Sequence, residues 1–84
     1  MYLVTTIASG DVFDEYEGES YEDAKTTFEV AWERLSDHDR RRVEQMLFAE
    51  YEKSTDELVD EYGYLPDPKR IIAIRDENGV VKWL

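Results

Sequence analysis

The chain has 84 residues, 42% hydrophobic and 37% charged, and its 21 acids against 10 bases leave a formal net charge of -11. That length fits one domain, residues 1–84, with a single small core. The lack of cysteine excludes disulfides and thiolate metal centres, and the negative field opposes direct contact with nucleic acid or an anionic membrane.

Tyr2 to Ala8 (YLVTTIA) is rich in β-branched and aromatic residues and predicts a strand. Ser9-Gly10-Asp11 is a turn signal, and Val12 to Glu17 (VFDEYE) reads as the returning strand. Simple alternation would put Glu15 and Glu17 on one face of it, with Asp14 and Tyr16 on the other. Ser20-Tyr21-Glu22-Asp23 matches a capping box, and its acids suit the positive end of a helix dipole. Ala24, Phe28, Ala31, Trp32 and Leu35 then form one apolar stripe, which predicts a helix over Tyr21–Leu35.

Ser36-Asp37-His38-Asp39 repeats the cap signal, and Val43, Met46, Leu47 and Tyr51 suggest a second buried stripe. These spacings predict a helix over Asp37–Lys53, with a break near Ser54 favoured over an unbroken continuation. Ser54-Thr55-Asp56-Glu57 would then cap a short third helix, which Gly63 ends. Leu65-Pro66-Asp67-Pro68 forms a linker, and Asn78-Gly79 joins Arg70–Arg75 and Val80–Leu84 as a second hairpin. The expected fold is α+β: two hairpins in a four-stranded antiparallel sheet, with two or three helices on one face. Its expected core is Phe28, Trp32, Leu35, Val43, Leu47, Ile72, Ile74 and Trp83.

The chain offers little for catalysis. His38 is the only histidine, and in a first helical turn its neighbours Asp37 and Asp39 point elsewhere, so no ligand set converges. No phosphate loop, serine elbow or calcium loop is present, so neither enzyme activity nor a cofactor is expected. Arg40-Arg41-Arg42 is locally balanced by Asp37, Asp39 and, one turn on, Glu44. Lys69, Arg70, Arg75 and Lys82 decorate the last hairpin, where they can neutralise neighbouring acids.

The acids themselves are harder to set aside. Asp11 to Asp23 holds seven acids and no base, and Glu50 to Glu61 holds six acids against Lys53 alone. Helical like-charge pairs such as Asp56/Asp60 and Glu57/Glu61 each cost a few tenths of a kcal/mol. Acids would recur about every 6.6 Å along a strand face and about every 5–6 Å along a helix, the order of successive phosphates in a nucleic-acid strand. A highly solvated acidic surface with no such role accounts for the same rows. The expected partner-binding residues are Asp14, Glu15, Tyr16, Glu17, Glu19, Asp56, Glu57, Asp60 and Glu61. Tyr16, Tyr51, Tyr62 and Tyr64 beside acids would suit an interface, or ordinary half-buried packing.

In length, compact α+β pattern and acidic runs such as Asp14-Glu15-Tyr16-Glu17-Gly18-Glu19, the chain resembles small acidic proteins of phages and mobile elements. Anti-CRISPR proteins and other DNA mimics are among them. The resemblance covers the whole chain but no diagnostic motif, so it transfers no residue roles. It implies an inhibitor that blocks a nucleic-acid site on an effector protein; the competing expectation is a non-inhibitory accessory domain of a bacterial or phage assembly. The partner expected is a basic, nucleic-acid-binding protein, with no direct nucleic acid and no membrane. A cytoplasmic location is expected, since no basic region followed by an apolar stretch marks a signal peptide and no apolar run approaches a membrane span.

Overall fold

The computed structural model describes all 84 residues. Five strands and three helices follow in the order β1 (Tyr2–Ala8), β2 (Asp11–Gly18), α1 (Tyr21–Ala31), α2 (Asp37–Arg40), β3 (Val43–Glu50), α3 (Thr55–Tyr62), β4 (Arg70–Arg75) and β5 (Val81–Trp83). All strands pair antiparallel in the spatial order β2-β1-β3-β4-β5. The fold is α+β with a five-stranded sheet, one strand more than the sequence suggests.

Both hairpins form where expected. Ser9 (φ 52°) and Gly10 (φ 82°) both have positive φ, the signature of a type I′ turn whose twist matches that of the strands. At the second hairpin the Asp76 carboxylate accepts hydrogen bonds from the amides of Asn78 (2.9 Å) and Val80 (3.0 Å). Gly79 completes that turn at φ 82°.

The main correction concerns Asp37–Lys53. Only Asp37–Arg40 is helical, and Val43–Glu50 is the central strand β3. Met46 and Phe48 are buried on the face that packs against α1, while Ala49 is buried on the opposite face. A strand covered on both sides lacks the alternation of a half-buried one. Val43, Met46, Leu47 and Tyr51 therefore imitate helical spacing. Arg40 consequently does not reach Glu44; it pairs with Asp37 (3.6 Å) and donates through Nε to the Trp32 carbonyl (3.1 Å).

The helices also lie on both faces of the sheet, not on one. α1 buries Ala24, Phe28 and Ala31 against Val4, Met46, Phe48, Ile72 and Ala73. α3 places Leu58 on the other face, against Leu3, Ala49 and Tyr51. Ser20, Ser36 and Ser54 cap the three helices as expected, and Gly63 ends α3 in the left-handed conformation. α1 stops at Ala31, short of Leu35.

Of the expected core, Phe28, Val43 and Ile72 are buried, whereas Trp32, Leu35, Leu47 and Ile74 are half-buried. Trp83 is 47% exposed at the sheet edge, although its ring packs edge-on against Phe28 at a centroid distance of 5.8 Å. The largest fully buried side chains are Phe28, Phe48, Met46 and Val4. Arg75 is the one buried cation. Its Nη1 donates to the Phe28 carbonyl (2.9 Å), and its guanidinium lies 4.7 Å from the Phe28 ring centroid. Burial lowers its pKa from the usual guanidinium value, opposed by Glu33 and Glu29. It remains a cation, and it lies near the negative end of the α1 dipole.

Candidate acidic interface

β2 is an edge strand, exposed over most of its length. Val4 pairs with Tyr16 and Thr5 with Asp14, so Glu15 is the extra residue of a β-bulge. The bulge breaks the simple alternation. Asp14 and Glu17 share the face of Thr5 and Leu3, while Tyr16 lies on the α1 face with Val4. Glu15 and Glu17 therefore do not form the regular two-residue row that the sequence suggests.

The two acidic runs nevertheless meet. One carboxylate oxygen of Glu17, Oε1, accepts hydrogen bonds from the Thr55 backbone amide (2.8 Å) and hydroxyl (2.6 Å). Thr55 is the first residue of α3, where unpaired amides and the helix dipole favour a carboxylate. This contact between residues 38 apart in sequence sets β2 beside the acidic helix.

The remaining acids divide into engaged and free groups. Ser54 Oγ accepts from the Glu57 amide (3.3 Å) and donates to Glu57 Oε1 (3.1 Å), and Glu61 pairs with Lys53 at 2.9 Å. That pairing raises the Lys53 pKa. Glu19 lies 3.7 Å from the N-terminal amine but is 80% exposed. Asp14, Glu15, Asp56 and Asp60 are exposed and make no hydrogen bond or ion pair through their carboxylates. As solvated acceptors they can receive ammonium or guanidinium groups from outside.

The tyrosines separate in the same way. The Tyr16 hydroxyl accepts from the Ser20 amide (3.2 Å), and Tyr51 is 6% exposed, with its pKa raised by burial and then by Asp67. Both belong to the framework. Tyr62 and Tyr64 are 52% and 65% exposed and line a groove of about 360 Å³ with Leu58 and Pro66. Exposed Val59 lies on the same helix.

His38 is exposed in α2, and no group of three or more His, Cys, Asp or Glu side chains is placed to share a metal ion. No helix is long and apolar enough to cross a membrane. Sequence reasoning missed Thr55 as the anchor of the surface, because no local signal links it to Glu17. Comparison with protein-family models, with curated proteins and with solved structures returns no match.

Proposed function

We propose that this is a small acidic protein-binding domain that occupies a nucleic-acid-binding site on an effector protein and so inhibits it, in the manner of a DNA mimic or an anti-CRISPR protein. The observation that carries this reading is the Glu17–Thr55 clamp, which ties the end of β2 to the first turn of the acidic helix α3. On these two elements Asp14, Glu15, Asp56 and Asp60 are exposed and uncompensated, a charge excess that repels itself in the free protein and suits a cationic partner. The support is charge density on a rigid frame rather than a phosphate-like period, since the bulge at Glu15 interrupts the period. A non-inhibitory accessory domain is the second reading, favoured by exposed Val59, Tyr62 and Tyr64 beside α3.

The test starts from affinity capture in the native host, with the bound protein identified and its affinity measured. A triple variant, Glu15→Gln with Asp56→Asn and Asp60→Asn, leaves every observed ion pair and cap in place. It should bind the captured protein at least about tenfold more weakly, a loss of about 1.4 kcal/mol or more. An oligonucleotide should compete with the parent domain. Unchanged affinity in the variant would end the electrostatic reading. Charge-sensitive binding that ignores the oligonucleotide would select the accessory role.

A further inference from the structure

The two faces of the sheet are unequally covered. α1 packs over Val4, Met46 and Phe48 on one face, whereas α3 reaches the other through Leu58, against Leu3, Ala49 and Tyr51. Those contacts occupy one end of the strands. The next row on that face takes one residue from each of the five strands: Asp14, Thr5, Leu47, Ile74 and Lys82. Val12, Ile7 and Gln45 form the row after it. α3 leaves most of these two rows open, with Ile7, Gln45, Leu47 and Ile74 half-buried and Val12 64% exposed. In a chain that is 37% charged, Thr5, Leu47, Ile74, Ile7 and Gln45 carry no charge at all. Charge stands only at the ends of the first row, negative at Asp14 on β2 and positive at Lys82 on β5. An open, uncharged strip on so acidic a surface is suited to being covered.

Dimensions and charge say what covers it. The first row crosses four inter-strand spacings, about 19 Å, the length of about 13 helical residues. The middle of the two open rows lies about 10 Å along the strands from the Leu3–Ala49 row, and neighbouring helices pack about 8–10 Å apart. The strip therefore has the size of one helix beside α3. Glu17 shows how β2 receives such a helix. Its carboxylate accepts from the amide (2.8 Å) and hydroxyl (2.6 Å) of Thr55, at the start of α3. Asp14 stands on the same face of β2, one row further on, exposed and with no bond to its carboxylate. It is placed to meet the positive end of a second helix as Glu17 meets that of α3, and Lys82 suits the negative end.

We infer that these open rows seat an amphipathic helix of the protein partner, laid across the strands beside α3 with its N-terminus at Asp14 and its C-terminus at Lys82. Apolar side chains at i, i+3, i+4 and i+7 on that helix would cover Ile7, Leu47 and Ile74. Its outer face would be basic, in keeping with the acidic field of the domain. This deepens the proposed function, since it rests on a basic protein partner and names the element that partner presents.

The test needs no effector, so its failure is distinct from failure of the inhibitor reading. The intact isotope-labelled protein is titrated with a leucine–lysine peptide of helical period, about 14 residues long to match the strip, and amide shifts are followed by NMR. A peptide of the same composition in which leucine and lysine strictly alternate keeps the charge but favours a strand. Saturable shifts are expected at Thr5, Ile7, Leu47 and Ile74 with the helical peptide, and none there with the alternating one. Ile7→Thr and Ile74→Thr leave the charge unchanged and keep a β-branched side chain suited to a strand. Each should weaken the helical peptide at least about fivefold. A nitroxide on the peptide N-terminus, used with the parent protein, should broaden the Asp14 amide and spare that of Lys82. Shifts confined to the acidic runs, equal response to the alternating peptide, full affinity in both variants or the reverse broadening would each overturn the assignment. So would a concentration-dependent dimer that protects the same amides without peptide, by giving this face to a second copy of the chain.

Discussion

Gly79 shows how a single residue ties the last hairpin to the helical layer. A Cβ built there would lie 2.7 Å from the Trp32 indole, and the backbone sits at φ +82°. The first is a steric overlap with a bulky ring, the second a region that side chains rarely adopt. Trp32 has little room to yield, because the Arg40 guanidinium lies 5.5 Å from its ring centroid and that of Arg75 lies 6.0 Å away. Gly79→Ala should therefore cost about 1–3 kcal/mol, read as a lower denaturant midpoint with the slope unchanged. An unaffected midpoint would mean that this turn does not press on Trp32. Asn78-Gly79 was legible in the sequence as a turn, but its contact with Trp32 was not, since turn chemistry says nothing about what lies above the turn.

Among the elements, β3 and β4 are joined by a cross-strand pair that makes stability depend on acid. Glu50 lies directly opposite Arg70, and its carboxylate accepts from Arg70 Nε at 2.7 Å. That hydrogen bond holds the Glu50 carboxyl below its usual range, with burial acting in the opposite direction. A carboxyl lowered in the folded state stabilises the protein above its unfolded pKa, about 4.3, and the contribution is lost as pH falls through the folded value. Glu50→Gln should cost no more than about 1 kcal/mol at neutral pH, because Arg70 is largely solvent-exposed. It should also shallow the fall of stability below about pH 5, which denaturant titrations across that range would measure. A variant with the parent's full acid sensitivity would place the responsible carboxyl elsewhere. The caps at Ser20, Ser36 and Ser54 were readable because each depends only on its next three residues. β3 was not, because its burial on both faces erases alternation and its neighbours in space are remote in sequence.

For the whole molecule, a net charge of -11 makes salt a variable of the fold as well as of binding. Raising ionic strength from about 0.01 to about 1 M shortens the Debye length from about 30 to about 3 Å, which screens repulsion among exposed acids. Each ~1 kcal/mol of repulsion relieved should raise Tm by about 4–8 °C in a domain this size, while the same salt should weaken association with the proposed cationic partner. Calorimetry and binding measured over one salt series should thus move in opposite directions. A Tm that falls with salt would mean that ion pairs such as Lys53–Glu61 outweigh the repulsion. The acidic runs were plain in the sequence, and so was their excess charge. Their meeting at Thr55 was hidden, because it depends on α3 crossing to the second face of the sheet.

The strand order also governs how the chain reaches this structure. β1–β2 and β4–β5 are hairpins whose partners are sequence neighbours, so each can close without ordering a long loop. The middle of the sheet is different: residues 2–8 must find residues 43–50 across the whole of β2, α1 and α2. That seam carries the largest loop-closure entropy of the strand pairings, the kind of non-local contact that slows folding. Phe48 and Val4, opposite each other on it and fully buried, contribute their hydrophobic contact only once the two halves have met. Until then β1 and β3 each present an open edge, and a net charge of -11 opposes the pairing of one half-assembled chain with another.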